Sequence, residues 1–143
     1  MHVAQDRKYT CKKNDSGAAT LEFAMLLPFL LPILFGIVEF GRAMMISHVL
    51  TTTAREGARV AALPGGDNTV VMSAILNELS QVGLSYDSCE LIPEDVTTAE
   101  RGEPVTVRIR IHYGSIACVP GFFPGLSDLQ LEGVAVMRKE GFG

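Results

Sequence analysis

A single carboxylate interrupts a long apolar stretch near the start of this 143-residue chain. The stretch begins at Gly17-Ala18, continues through Glu22-Phe23 and stays otherwise uncharged up to Val38. A run of roughly twenty such residues is long enough for a helix to cross a hydrocarbon core of about 30 Å. A carboxylate inside it costs on the order of 3 kcal/mol at mid-membrane, so we expect Glu22 to have a functional partner.

The residue types that carry catalysis or bind metals are scattered along the chain. His2, His48 and His112 lie in three different segments, and no Cys or His cluster has the spacing of metal ligands. Ser47 adjoins His48, but adjacent residues of a helix do not face each other, so this pair is not a nucleophile and its base. We therefore expect no enzyme activity, no catalytic residue, no metal and no cofactor. His112 is expected to be solvated on a strand.

Length and charge allow one membrane helix and one small domain. Residues 1–16 carry Arg7, Lys8, Lys12 and Lys13, although the net charge of the whole chain is −4. Because an excess of Lys and Arg marks the cytoplasmic side, we expect a single pass with the N terminus inside and the C terminus outside. The acidic remainder argues against nucleic acid as a partner.

An ordinary secretory signal peptide is the alternative interpretation of residues 1–36. However, the apolar run exceeds the usual length of such a peptide and no clear cleavage site follows it.

The predicted orientation separates the three cysteines. Cys11 lies in the cytoplasmic leader, where thiols stay reduced, whereas Cys89 and Cys118 lie outside the membrane in an oxidising compartment. We expect a disulfide between Cys89 and Cys118, with two free buried thiols as the alternative. Closing a loop of roughly thirty residues would stabilise the domain by about 3.5 kcal/mol.

The first helix is expected to continue beyond the membrane as far as Leu63-Pro64-Gly65-Gly66. Ala54, Ala58 and Ala62 recur at every fourth position, with Gly57 beside them. Such a stripe of small residues allows another helix or a sheet to approach closely. The sequence leaves open whether that element belongs to another subunit or to the protein's own domain.

The segment after this helix has the periodicity of a second one. It is predicted over Thr69 to Val82, with Asp67 or Asn68 as its N-cap. Its core face holds four apolar residues at helical spacing: Val71, Ile75, Leu79 and Val82.

Three strands are predicted beyond the second helix, over residues 88–92, 105–113 and 129–138. The connections leave no room for crossover helices, so we expect a three-stranded antiparallel sheet and an α+β domain. The loop before the last strand holds Phe122 and Phe123. These two side chains either tuck beneath the loop or form an exposed apolar contact patch.

Two stretches of the chain resemble the TadE-like pseudopilins of tight-adherence (Tad, or Flp-type) pilus systems. The first, Gly17-Ala-Ala-Thr-Leu-Glu22-Phe23, is similar to the prepilin-peptidase site of this family. The second comprises Gly36-Ile-Val-Glu39-Phe40-Gly41-Arg42 and Ala54-Arg-Glu-Gly57-Ala58-Arg59. The related TadG family usually has a much larger domain, whereas the TadF family is closer to this chain in size.

The resemblance implies a pilin-like fold and cleavage between Gly17 and Ala18 by a membrane prepilin peptidase. Cleavage would remove residues 1–17 as a leader and expose an ammonium on Ala18, one helical turn from Glu22. That ammonium, in the same chain or in the next subunit, would be the partner of the carboxylate.

The mature chain would then consist of a transmembrane helix (18–40), its extramembrane continuation and hinge (41–66), and an extracytoplasmic α+β domain (67–143). The resemblance also implies that seven residues contribute to assembly: Glu22, Glu39, Arg42, Ala54, Gly57, Ala58 and Arg59.

These features together predict a minor pseudopilin that helps to initiate or assemble a Tad pilus. It would reside in the cytoplasmic (inner) membrane, or in an extracellular pilus after assembly. The expected partners are other pilus and pseudopilus subunits, the prepilin peptidase, the inner-membrane assembly platform and membrane lipid. The alternatives are a pseudopilin of a type II secretion or other type IV pilus system, and a signal-anchored envelope binding domain.

Overall fold

The computed structural model describes residues 15–117 and 128–141, with two helices and a three-stranded sheet. Helix α1 (Asp15–Ala62) is 48 residues long and ends at the predicted position. The chain divides into an N-terminal unit, Met1–Gly36, and a C-terminal unit, Ile37–Gly143. Residues 1–14, which form most of the predicted leader, lie outside the described residues.

The N-terminal unit consists, where it is described, of helix α1 residues 15–36. The helix continues without interruption through Pro28 and Pro32. All of its large apolar side chains except the half-buried Phe35 are exposed, as a surface that contacts lipid or other helices would be. Among the described residues, Gly17–Ala62 is the one helix long and apolar enough to cross a membrane, and none of its most apolar window is buried.

The C-terminal unit combines the rest of α1 with a second helix and the sheet. Helix α2 spans Asn68–Gln81, and its N-cap Asp67 accepts a hydrogen bond from the amide of Thr69, as predicted. The strands are β1 (Ser88–Ile92), β2 (Pro104–His112) and β3 (Gln130–Arg138). They form an antiparallel sheet in the order β1-β2-β3, which confirms the predicted α+β fold.

One apolar core holds these elements together. Strand β2 buries alternate residues, as its period-two pattern predicts, and opposes them to α1 and α2. The fully buried side chains of this core come from all three elements: Leu50, Ala54, Ala58, Val71, Ile75, Val105, Val107, Ile109 and Ile111.

Helix α2 ends earlier than its apolar spacing predicts. Val82 was expected on the core face, but it is the C-cap and its side chain is 46 % exposed. Gly83 follows with φ at +68°, a conformation that glycine adopts without strain. The helix therefore ends at Gln81, one residue before Val82, and the chain turns at Gly83 so that Val82 is not buried in the core.

Strand β3 places its smallest residues, rather than its valines, on the core face. Gly133 and Ala135 are buried opposite Ile109 and Val107 of β2, whereas Val136 lies on the outer face. A Cβ added to Gly133 would lie 2.4 Å from the carbonyl carbon of Leu50 in α1. Helix α1 thus lies directly against the backbone of β3, and only glycine leaves room for that contact.

Candidate processing and assembly sites

The predicted processing site lies at the start of helix α1. Gly17 is the third residue of the helix, so the Gly17–Ala18 peptide bond is in a terminal turn, where helices fray most readily. A Cβ on Gly17 would meet no atom within 4 Å, which leaves the bond open from the side. Ala18 and Glu22 are four residues apart in the same helix and therefore share a face.

The Glu22 side chain is exposed on this helix. Within the part of the chain that the structure describes, no salt bridge involves Glu22. An ammonium formed on Ala18 would lie one turn away, at the positive end of the helix dipole. The geometry is compatible with the partner expected for Glu22 after cleavage.

Glu39, the second carboxylate of the apolar stretch, lies in the interior of the C-terminal unit and is only 3 % exposed. Its carboxylate accepts a hydrogen bond from the hydroxyl of Tyr113. The same hydroxyl lies 3.1 Å from the main-chain carbonyl of Glu39, a second acceptor. Glu39 therefore fixes Tyr113, the residue directly after strand β2, to helix α1, and its carboxylate is buried within its own unit.

Arg42 makes a second link between α1 and the segment after β2. Its Nε donates a hydrogen bond of 2.6 Å to the main-chain carbonyl of Ile116. Charge-assisted bonds of this kind are stronger than neutral ones. Two residues predicted to act in assembly thus tie the protein's own domain to its helix.

The small-residue stripe packs within its own chain, which is one of the two alternatives that the sequence left open. Ala54 and Ala58 are fully buried in the core. A Cβ on Gly57 would lie 3.0 Å from Cδ1 of Ile75, so helix α2 is the element that approaches closely. Arg59 stays at the surface, where it pairs with Glu56 at 2.5 Å.

Cys89 lies on the core side of strand β1, opposite Ile109, and is half-buried. Burial raises the pKa of its thiol, so the reduced form is protonated and poorly reactive near neutral pH. Cys118 lies outside the described residues, as do Phe122 and Phe123. The Cys89–Cys118 disulfide and the two alternatives for the phenylalanines stay predictions.

Lys139 is a structural residue that the sequence reasoning missed. It is buried, and its Nζ donates hydrogen bonds to the carbonyls of Ala61, at 2.9 Å, and Val96, at 3.1 Å. A cation at the last carbonyls of a helix is favoured by the helix dipole. The one available signal was a lysine directly after a strand, which does not by itself indicate a cap.

The outer face of the sheet carries polar pairs rather than a reactive site. His112, expected to be solvated, is exposed, and its Nδ1 lies 2.9 Å from a carboxylate oxygen of Asp87. The backbone amide of His112 and then its ring hold the pKa of Asp87 below its ordinary value. Arg110 pairs with Glu132 at 2.8 Å. Over residues 15–117 and 128–141, no group of three or more His, Cys, Asp or Glu side chains is arranged to hold a metal ion.

Comparison with protein families gives a match that falls on α1. The matching family is described as TadE-like protein and covers residues 17–59. No curated protein and no solved structure matches the chain. The matched segment begins at Gly17 and ends at Arg59, so it contains every residue predicted for processing and assembly. Over this segment the chain is similar to the TadE-like family, as the resemblance predicted, and the match supports an association with Tad pilus systems.

Proposed function

We propose that the chain is a minor pseudopilin, a non-enzymatic membrane protein that a prepilin peptidase cleaves after Gly17 and that then joins a Tad pilus or pseudopilus. The observation that carries the proposal is an exposed carboxylate, Glu22, in the apolar part of a helix that matches the TadE-like family. A helix that served only as an anchor would gain by having an apolar residue there.

Charge complementarity supports the proposed assembly mechanism. Cleavage creates an ammonium on Ala18, and the carboxylate of Glu22 neutralises it within the chain or across to the next subunit. In a stack of apolar helices such a pair contributes little net stability, since both charges lose their hydration. The pair fixes the register of neighbouring helices, because a misaligned packing leaves a charge buried without its partner and costs free energy.

The remaining parts of the proposal follow from this mechanism. The helix is inserted with its basic N-terminal leader in the cytoplasm, and the C-terminal unit is outside. Its partners are the peptidase, the inner-membrane assembly platform and other pilus subunits. Glu39, Ala54 and Ala58 are buried within the C-terminal unit, whereas Glu22, Arg42 and Arg59 lie at the surface. Among these three, we assign the main assembly role to Glu22, the one that lies inside the apolar run.

Co-expression with the cognate prepilin peptidase, followed by intact-mass measurement, tests the proposed processing. We expect a mature chain that begins at Ala18, and we expect Gly17→Leu to block cleavage because the peptidase must approach the backbone closely. Gly41→Leu is the matched control, since a Cβ meets no atom within 4 Å at either glycine. A chain that keeps residues 1–17, or that is cut elsewhere, would leave only the plain anchor.

A further inference from the structure

The first turns of the C-terminal unit carry an apolar surface that its own core does not cover. Ile37, Phe40, Met44 and Met45 are all exposed, Phe40 to 70 % and Met45 to 63 %. Their spacing places them on one side of helix α1. The opposite side holds Glu39 and Ile46, which are buried against the domain. We call the four exposed residues the outer face of residues 37–45.

The two charged side chains of these turns are hydrogen-bonded to the segment that follows strand β2, although Arg42 is itself exposed. Glu39 is bonded to Tyr113, and the Nε of Arg42 is bonded to the carbonyl of Ile116. Glu39 and Arg42 are the only charged residues between positions 37 and 45. The outer face is therefore entirely apolar although the segment itself carries two charges.

We propose that the outer face of residues 37–45 lies in the lipid head-group layer, so that the C-terminal unit is seated directly on the bilayer. The inference rests on the membrane insertion in the proposed function. It extends lipid contact beyond residue 40, where the sequence placed the end of the span. In this arrangement the Glu39–Tyr113 bond withdraws from the lipid a carboxylate that would otherwise resist insertion.

Dimensions favour lipid as the occupant. The outer face lies within the candidate helix Gly17–Ala62, at the end of its uncharged run, and none of that helix's most apolar window is buried. Helix α1 rises about 7.5 Å from Phe40 to Met45. One head-group layer is about 5–8 Å thick, the difference between a bilayer of about 40–45 Å and its hydrocarbon core, shared between two sides. The part of the outer face from Phe40 to Met45 thus has the depth of one such layer, and Ile37 lies about 4.5 Å further toward the hydrocarbon core.

Single-tryptophan variants of the full chain test this placement, because the chain contains no tryptophan of its own. Met44→Trp reports on the outer face, and Leu30→Trp reports on the middle of the predicted transmembrane helix (18–40). Leu76→Trp, on helix α2, is the matched control, since Leu76 is 51 % exposed and Met44 is 48 % exposed. Each variant is reconstituted in vesicles of phosphatidylcholine and phosphatidylglycerol, at high lipid excess, with bromine atoms at a defined acyl position. Quenching of the tryptophan emission is measured with these lipids and, separately, with acrylamide in the aqueous phase.

We expect Met44→Trp to lose most of its emission to lipids brominated near the head group and little to acrylamide. Leu76→Trp should show the reverse. Met44→Trp quenched by acrylamide like Leu76→Trp would place the outer face in water and overturn the inference. Emission from Met44→Trp that neither agent quenches would mean that protein, such as a second copy, covers this face, which also overturns it.

Leu30→Trp separates a failure of this inference from a failure of the proposed function. If bromolipids quench Leu30→Trp but not Met44→Trp, the helix is inserted and only the seating of the C-terminal unit is wrong. If bromolipids quench neither, membrane insertion itself fails, and the proposed function fails with it. A Tyr113→Phe change in the Met44→Trp chain should reduce bromolipid quenching, because it frees Glu39 from its hydroxyl partner.

Discussion

Glu22 and Glu39 are two carboxylates in one apolar helix, and their surroundings differ. Glu39 is buried and receives the hydroxyl of Tyr113, so its own chain satisfies it. Glu22 is exposed, and its expected partner arises only when the chain is cut. A buried polar group with a hydrogen-bonded partner has a structural role, whereas an exposed charge on an apolar surface calls for an external partner.

At the scale of single residues, the cysteines give a direct stability prediction. If the Cys89–Cys118 disulfide forms, replacing either cysteine with serine should lower the free energy of unfolding by about 2–5 kcal/mol. Denaturant unfolding of the full chain in detergent, before and after reduction, measures this loss. Cys11→Ser is the control, because this residue lies in the leader and should not change stability.

A double variant sharpens the disulfide test. Cys89→Ser combined with Cys118→Ser should be no less stable than either single variant, since one bond is lost in every case. Additive losses, or two free thiols by mass spectrometry in protein extracted under non-reducing conditions, would show that the cysteines are not paired.

At the scale of elements, the contact between α1 and β3 depends on the absence of a side chain at Gly133. Gly133→Ala would force a Cβ to within 2.4 Å of the Leu50 backbone, and backbone cannot move aside as a flexible side chain can. We expect a loss of about 1–3 kcal/mol in the free energy of unfolding, typical of overpacking. Circular dichroism during denaturant unfolding measures it.

Gly41→Ala is the control for the intrinsic effect of replacing glycine with alanine. A Cβ at Gly41 meets no atom within 4 Å, and alanine is the better helix former, so stability should be unchanged or higher. Gly133→Ala with the stability of the unaltered chain would mean that α1 does not lie against β3 as described.

Local patterns predicted these elements well, because helix and strand periodicities depend on neighbouring residues. The strand Ser88–Ile92 and the end of α1 at Ala62 coincide with the predicted bounds. The same patterns could not predict which residues of β3 face α1, since glycine and alanine give little hydrophobic signal. The bond between Glu39 and Tyr113 joins residues 74 positions apart and leaves no local trace in the sequence.

At the scale of the whole molecule, the family match and the chemistry fall on the same helix. Residues 17–59 match the TadE-like family, and they contain Glu22, Glu39 and the candidate cleavage bond. The sheet and α2 lie beyond the match and bury the small-residue stripe of α1. Under the proposed function, the start of the helix acts in register and assembly, and the rest of the chain is the domain that the helix carries.

The most direct test of the proposed function is the recruitment of Glu22→Leu into pili. The change removes a costly charge, so membrane insertion should be unchanged or improved, and cleavage should persist. Assembly should fail, because the Ala18 ammonium then has no carboxylate partner. Glu22→Asp is the control, since it keeps the charge and shortens its reach. We expect few pili and little co-purification with other pilus subunits for Glu22→Leu, whereas normal piliation by that variant would contradict the role assigned to this carboxylate.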